Sequence, residues 1–374
     1  MPESAAPAPR SASTQVKSIQ VLRAVAALGV LTFHAATEKV THMGGDPGPF
    51  RNFLLGAAGV DLFFVISGFV MVYASEPLFG RADGPRLFWL RRLIRIVPLY
   101  WAVTSLYLAL TVLLPELAAS RYSPALIAAS YLFYPFPRED GVMQPVAGLG
   151  WTLNYEMFFY LVFGLGLMFR RTAAVAGVAG ALILAVALGW TGGPLPGALG
   201  FWTDPIILEF VFGMMLALAV WAGWRLRPAT AVFLMGAGLL ALALALPMRM
   251  VMGLPRGLAW GIPVAIFVAG AVLGDFRRSE GALARGLSAI GDASYSLYLL
   301  HPLVIRFFRE LWSQGLIDPA AWPWTYAALA LGSSIAAALV SYRLFERPVT
   351  RALQALFARP ARRVPLGAES PARP

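Results

Sequence analysis

The sequence contains no cysteine and only three histidines, and few of its side chains carry charge. The lack of cysteine excludes disulfides, thiolate nucleophiles, acyl-cysteine intermediates and cysteine metal sites. With so few histidines, and with His42 in a predicted loop, no metal cluster is indicated. Glycine-rich phosphate loops of P-loop spacing and G-x-S-x-G elbows are also absent from the sequence. The chemistry of this chain must therefore come from other residue types.

Apolar residues dominate what is present. Hydrophobic residues make up 59% of the 374 positions and charged residues 13%. That balance excludes an ordinary soluble domain and predicts a protein that crosses the membrane several times. The net charge of +11 is read as the cytoplasmic arginine excess of membrane proteins, so no nucleic acid partner is predicted. The expected surroundings of the chain are membrane lipids.

Apolar runs of spanning length predict an all-α integral membrane protein, a bundle of about ten transmembrane helices. The runs lie at 18–36, 53–75, 93–114, 150–169, 172–190, 204–223, 229–247, 257–275, 289–309 and 323–345. A shorter apolar piece at 124–136, bounded by prolines, is predicted to be interfacial or re-entrant. The chain shows no evident internal repeat, which weakens an inverted-repeat transporter interpretation.

The distribution of arginines predicts the orientation. With the N-terminus inside, most arginines fall on inner segments, so both termini are predicted to be cytoplasmic and the location to be the inner (plasma) membrane. Examples are Arg81, Arg86, Arg91, Arg170, Arg171, Arg277 and Arg278. Residues 1–17 are predicted to be a disordered tail, 18–347 the transmembrane domain and 348–374 a cytoplasmic tail. The first apolar run lacks a convincing cleavage site and is interpreted as a retained span.

Arg23 and His34 lie in the first predicted span, eleven residues apart (34 − 23). They project from one helix face, about 16 Å apart along the axis, and ionisable residues in a bilayer usually mark a pathway or a reaction site. Arg92 and Arg95 are three residues apart and share a face of the third span. Two interpretations remain open. Either these arginines and Arg23 form a phosphate-binding cluster, or Arg91, Arg92 and Arg95 anchor the helix among lipid headgroups.

A second group of polar residues falls in the predicted outer half of several spans and predicts a buried polar chamber. In this chamber, Glu156 or Asp61 beside His34 would fix the tautomer of the histidine and raise its basicity. Structural interpretations are also open: Asp61 could bond within the bundle, Glu156 could lie in the wet interface, and His301 could satisfy a carbonyl freed by Pro302. The group comprises His34, Asp61, Glu156, Ser294, Tyr298 and His301, with Asp204 and Glu209 on the same side.

Six segments of the sequence resemble the membrane acyltransferase-3 family, particularly its exopolysaccharide O-acetyltransferase branch. The Arg23–His34 pair, the R-x-x-R of Arg92 and Arg95 and the W-T-L-x-x-E segment are together specific. Many relatives have aspartate at the position of Gln20, whereas the polysaccharide-modifying branch often has glutamine. The segments are IQVLRAVAALGVLTFHA at 19–35, GVDLFFVISGF at 59–69, RRLIRIVPLYW at 91–101, WTLNYEMFFY at 151–160, GDASYSLYLLHPL at 291–303 and FERP at 345–348.

The resemblance implies transfer of an acyl group, usually acetyl, from cytoplasmic acyl-CoA to a hydroxyl of a cell-surface or exported polysaccharide. Acetyl-CoA would be the donor substrate, a glycan or lipid-linked saccharide the acceptor, and no metal is expected. His34 would act either as general base or as acyl carrier. The implied donor-binding residues are Arg23, Arg92 and Arg95, the catalytic candidates His34, Glu156 and Asp61, and the candidate acceptor contacts Tyr155, Tyr298 and His301.

Two non-enzymatic functions also explain buried charges in a membrane bundle. A glycolipid or polysaccharide transporter or flippase would need such charges but not acyl-CoA. A membrane sensor or scaffold would use them only to hold the bundle together. Release of free CoA and acetylated glycan from labelled acetyl-CoA separates the enzyme from both.

Overall fold

The computed structural model describes residues 12–42, 55–113, 122–191, 195–276, 281–315 and 323–357. These residues are almost entirely helical and include no named strand, in agreement with the all-α prediction. Their α-helices are, in order, α1 Ala12–His42, α2 Gly59–Ala74, α3 Gly84–Leu113, α4 Pro124–Tyr131, α5 Trp151–Gly166, α6 Arg171–Thr191, α7 Gly197–Trp202, α8 Leu208–Trp221, α9 Pro228–Met252, α10 Arg256–Ala259, α11 Gly261–Leu273, α12 Ala282–Asp292, α13 Ser294–Ser313, α14 Pro323–Ser341 and α15 Arg347–Phe357.

Seven helical segments of the described chain are long and apolar enough to cross a membrane. Each coincides with a span predicted from the sequence, and together they establish a multi-pass membrane protein. The other three predicted spans match α5, α8 and α13, which are shorter or more polar. The total of about ten spans and the cytoplasmic termini therefore remain predictions. The seven segments are Lys17–Thr41, Leu55–Ala74, Gly84–Leu113, Arg171–Thr191, Pro228–Ala245, Arg256–Leu273 and Trp324–Phe357.

Both predicted tails contain helix. α1 begins at Ala12, so the prediction of disorder is wrong for residues 12–17, and it ends at His42, which was predicted to lie in a loop. α15 occupies the first part of the predicted C-terminal tail. Its sequence, RPVTRALQALF, gives a helix with one polar and one apolar face, so no continuous apolar run in the sequence marks it. Residues 1–11 and 358–374 lie outside the described residues.

The ninth predicted span is two helices rather than one. α12 ends at Asp292, Ala293 forms the break, and α13 starts at Ser294. The apolar piece at 124–136 contains only the eight-residue helix α4, too short to span a bilayer. Trp101 and Ser105 of α3 bond to Tyr131 at its end, so α4 packs against α3.

α2 lies at the centre of the bundle and contacts α1, α5, α8 and α11. Its contact with α8 is close because a glycine from each helix faces the backbone of the other. A Cβ on Gly68 would collide with the carbonyl oxygen of Phe210, and one on Gly213 with that of Val65. Small residues allow this approach in membrane bundles. The α2–α8 pair and α1, on another side of α2, form the frame for the polar residues described next.

Candidate active site

The N-terminal half of α1 is fixed to the break between α12 and α13. Arg23 donates from Nε and Nη2 to Ser294 Oγ, at 3.1 and 2.9 Å. One turn earlier, Gln20 Nε2 donates to Asp292 Oδ1 at 2.6 Å. Because the helix breaks at Ala293, Asp292 at the end of α12 and Ser294 at the start of α13 both contact α1. Ser294 holds the guanidinium of Arg23 without neutralising it, so its charge remains available.

The three arginines of α3 do not share one environment. Arg91 is exposed, as expected of an anchor among headgroups, whereas Arg92 and Arg95 are half-buried and line a cavity together with Arg23. Arg92 stacks over the ring of Phe88 at 5.5 Å, and its buried Nε has no hydrogen-bond partner among the described residues. The structure therefore supports the cluster interpretation for Arg92 and Arg95 and the anchor interpretation for Arg91.

The cavity has a volume of about 110 Å³ and lies between the helices that contribute these arginines and the N-terminal part of α5. One part is polar and the rest is lined mainly by apolar side chains of α2. Its polar lining comprises Arg23, Arg92, Arg95, Ser67, Glu156, Tyr160, Ser294, Tyr295, Thr152 and Tyr298. A cationic end and a long apolar wall suit a ligand with an anionic head and a thin arm.

Glu156 lies with the arginines and not beside His34. It lines the same cavity, lies in electrostatic range of Arg23 and Arg92, and accepts from Tyr160 through Oε2 at 3.1 Å. The sequence-based prediction placed Glu156 beside His34 because it assumed that α5 begins at the membrane surface. Val146, Ala147 and Gly150 just before α5 are buried, so the helix begins inside the protein.

Glu346 is a second carboxylate at this site, and sequence reasoning did not single it out. Its side chain is buried, with Oε1 at 3.9 Å from Arg95 Nη2 and Oε2 accepting from Ser296 Oγ at 2.6 Å. It ends a π-helical turn over 342–346, a rare geometry that is frequent at functional sites. The available signal was its place in the FERP segment. Three guanidinium groups face two carboxylates here, which leaves an excess of positive charge.

His34 of α1 and His301 of α13 form a pair. Nδ1 of His34 lies 3.0 Å from the Val30 carbonyl oxygen and 3.1 Å from Nε2 of His301. Nδ1 of His301 lies 2.9 Å from the carbonyl oxygen of Leu297. His301 therefore contacts both the Leu297 carbonyl oxygen and His34. Within the described part of the chain no hydrogen bond joins His34 to Glu156 or Asp61, so the expectation that one of these two carboxylates orients the ring is wrong.

Tyr298 connects the cavity with the histidine pair. It lines the cavity, and its ring centroid lies 6.3 Å from that of His301 and 5.8 Å from that of Phe63. Its hydroxyl donates to the carbonyl oxygen of Leu149 and lies 2.9 Å from Thr152 Oγ1. The ring of Tyr298 thus lies between the cavity and His301.

Asp61 belongs to a different cluster and does not line the cavity. It is fully buried and forms a bidentate ion pair with Arg256, at 3.1 Å from Nε and 2.7 Å from Nη2. Glu209, also fully buried, lies in electrostatic range of both and has no hydrogen-bond partner among the described residues. The geometry favours the structural interpretation of Asp61 over the catalytic one. The described residues contain no group of three or more metal-ligating side chains.

Tyr155, a predicted acceptor contact, is buried outside the cavity and stacks on Phe201 with ring centroids 4.0 Å apart. It therefore lies between α5 and α7 as a packing residue. Of the three predicted acceptor contacts, only Tyr298 lines the cavity.

Residues 16–343 match a family described as an acyltransferase domain, acyltransferase-3. The chain belongs to the acyltransferase-3 family. The match includes both members of the histidine pair, all three cavity arginines and Glu156. The protein is therefore an O-acyltransferase enzyme, and its apolar helices make it a multi-pass membrane member of the family.

Curated relatives agree with this assignment. The chain is 34% identical to the exopolysaccharide production protein ExoZ of Rhizobium meliloti, over 86% of the chain and 95% of that protein. It is 26% identical to the acyltransferase MdmB of Streptomyces mycarofaciens, over 91% and 92% of the two chains. It is 25% identical to the O-acetyltransferase OatA of Staphylococcus aureus, over 88% of the chain but 56% of OatA. No solved structure matches the chain.

Proposed function

We propose that this acyltransferase moves an acetyl group from acetyl-CoA to a hydroxyl of a cell-surface or exported polysaccharide. The observation that carries the proposal is the convergence of Arg23, Arg92 and Arg95 on one cavity that continues to Tyr298, the neighbour of His301. The names of ExoZ, an exopolysaccharide production protein, and OatA, an O-acetyltransferase, support the acceptor and the acyl group. We further propose ten spans in the inner membrane with both termini cytoplasmic.

In this proposal the arginines bind the phosphates of coenzyme A from the cytoplasmic side. Guanidinium groups hold phosphate oxygens through paired, charge-assisted hydrogen bonds. The excess positive charge and the unpartnered Nε of Arg92 fit an anion that completes the site. The pantetheine arm then runs along the apolar wall. Arg23 and His34, about 16 Å apart along α1, are spaced for an extended arm that brings the thioester to the histidine.

The histidine has two routes to the ester. As general base, His34 takes the proton of the acceptor hydroxyl while its oxygen attacks the thioester carbon, and the carbon–sulfur bond breaks. As acyl carrier, a ring nitrogen attacks the thioester carbon first and the hydroxyl then displaces it. Either route consumes acetyl-CoA and the hydroxyl and yields the ester and free CoA. Tyr298, which lines the cavity beside His301, is the acceptor contact that we retain.

A turnover assay decides between this function and the transporter, flippase or scaffold alternatives. The full chain is purified in detergent or nanodiscs and given labelled acetyl-CoA with lipid-linked saccharide or exopolysaccharide from the producing cell. Free CoA and acetylated glycan should appear together and in equal amounts. Transport of the saccharide without release of CoA would support the flippase instead.

Loss of Arg92 and Arg95 should weaken donor binding strongly. Hydrogen bonds to charged groups contribute about 1.5–3 kcal/mol each, so each alanine variant should raise the Kd for acetyl-CoA about tenfold to hundredfold. Equilibrium binding of labelled acetyl-CoA measures the change. The affinity for an acetyl-pantetheine thioester, which lacks the phosphates, should fall little in the same variants. Arg91→Ala, on the same turn but exposed, is the matched control and should bind as the unaltered protein does. Equal weakening in all three variants would return these arginines to the lipid-anchor interpretation.

A further inference from the structure

The contacts of His301 determine which of its ring nitrogens carries hydrogen. Nδ1 lies 2.9 Å from the carbonyl oxygen of Leu297. A carbonyl oxygen can only accept a hydrogen bond, so Nδ1 must carry the hydrogen. In the neutral ring, Nε2 then has a free lone pair. His301 therefore presents an acceptor to whatever faces Nε2.

The same reasoning determines the protonation of His34. Its Nδ1 faces the Val30 carbonyl oxygen at 3.0 Å and Nε2 of His301 at 3.1 Å. Both neighbours are acceptors, so Nδ1 of His34 carries the hydrogen and shares it between them. Nε2 of His34 is left with its lone pair. No hydrogen bond from the described residues reaches Nε2, and the ring is only half-buried, which leaves this nitrogen open to a reactant.

We infer that Nε2 of His34 is the reacting nitrogen and that His301 is a positioning residue that holds its tautomer. The inference rests on the proposed function and adds an atom and a partner to it. Free histidine prefers hydrogen on Nε2, so the His301 and Val30 contacts select the less common tautomer. His301 takes the place that sequence reasoning had given to a carboxylate. Glu38, one turn further along α1, is instead bonded to Arg309 at 2.8 Å.

On the general-base route, Nε2 takes the hydroxyl proton as the carbon–oxygen bond forms and the carbon–sulfur bond breaks, and it then protonates the CoA thiolate. On the carrier route, Nε2 bonds to the acyl carbon, CoA leaves as thiolate, and the Nδ1 proton shifts to Nε2 of His301. Attack by the hydroxyl then breaks the carbon–nitrogen bond, the Nδ1 proton returns, and the hydroxyl proton passes through Nε2 to the thiolate. On the general-base route, positive charge develops on His34 and strengthens its bond to His301. On the carrier route, the positive charge passes with the proton to His301.

The tautomers can be measured without turnover. The chain has three histidines, so ¹⁵N-histidine labelling of the full protein in detergent gives a simple spectrum, and a His42→Gln variant removes the third signal. We expect His34 and His301 both to show a protonated Nδ1 and a bare Nε2. A protonated Nε2 on His34 would overturn the inference, whatever the turnover assay shows. Absent turnover together with the expected spectrum would instead overturn the proposed function and leave the tautomer assignment of the histidine pair standing.

Two variants of His301 test its role in the reaction. His301→Leu removes the acceptor and should lower kcat about a hundredfold or more, within the usual contribution of acid–base groups. The KM for acetyl-CoA should stay unchanged, because His301 does not line the donor cavity. In His301→Gln the amide oxygen can occupy the position of Nε2 and accept from His34, so part of the lost kcat should return and the His34 tautomer should persist. A kcat equal to that of the unaltered protein in His301→Leu, or no recovery in His301→Gln, would contradict the positioning role.

Discussion

Replacement of His34 by alanine is expected to reduce acyl transfer to background. Proton transfer by a positioned side chain contributes about 10²- to 10⁴-fold, and loss of a covalent acyl carrier would cost at least as much. His34 is the member of the histidine pair whose Nε2 is open. Release of CoA from labelled acetyl-CoA, measured on purified protein, gives the rate. Binding of acetyl-CoA should persist, because the arginine cavity does not include His34.

His42→Ala is the matched control for this variant. His42 is the last residue of the same helix and should be dispensable for turnover. Full activity of His34→Ala would rule out the proposed mechanism. If donor is supplied without acceptor, acid-labile acetyl label on the unaltered protein, absent from His34→Ala, identifies the carrier route. Absence of label in the presence of full turnover identifies the general-base route.

Replacement of Arg256 by alanine is expected to cause the largest loss of stability. Arg256 pairs with the fully buried carboxylate of Asp61, donates to the carbonyl oxygen of Ala57 and stacks on Trp260 at 4.7 Å. Its removal leaves Asp61 buried without a counter-charge, beside Glu209. Breaking a buried ion pair in this way costs about 3–5 kcal/mol. Thermal unfolding in detergent measures the loss.

The chain supplies a matched control for this variant as well. Arg81 and Asp83 form the same kind of ion pair, at 2.9 Å, but about half of each side chain is exposed. Arg81→Ala should change the unfolding midpoint little, because water screens exposed pairs. The double change Arg256→Met and Asp61→Leu should recover much of the stability, since an apolar pair leaves no buried charge. Equal midpoints for Arg256→Ala and Arg81→Ala would show that the buried pair does not hold the α2–α10 contact.

Much of the fold could be predicted from the sequence because a bilayer imposes a simple rule. Spanning helices need long apolar runs, and the seven helical segments that are long and apolar enough to cross a membrane coincide with predicted spans. The features that the sequence did not predict are those to which this rule does not apply. α12 and α15 are amphipathic, and the break at Ala293 lies inside a continuous apolar run. Hydropathy averages over such breaks and faces, so it does not locate them.

The arginines of α3 show the same division. Their spacing placed Arg92 and Arg95 on one face, which the structure confirms, since both line the cavity. Spacing alone did not separate Arg91 from Arg92, because the two arginines are adjacent and lie at the same depth. Only the packing of α3 against α5 and α13 buries one face of this turn and exposes Arg91.

The sequence by itself determined the membrane class, most spans, the shared face of Arg23 and His34 and the resemblance to the acyltransferase-3 family. Composition and apolar runs give the membrane class and the spans, helical periodicity gives the shared face, and short motifs give the resemblance, because each is read from one stretch of sequence at a time. The tertiary structure alone decided the partners: His301 for His34, the arginine cavity for Glu156, and Arg256 for Asp61. Periodicity gives depth and face but not the rotation of one helix against another. His34 and His301, which are 267 residues apart in the sequence, are brought together only when α1 packs against α13.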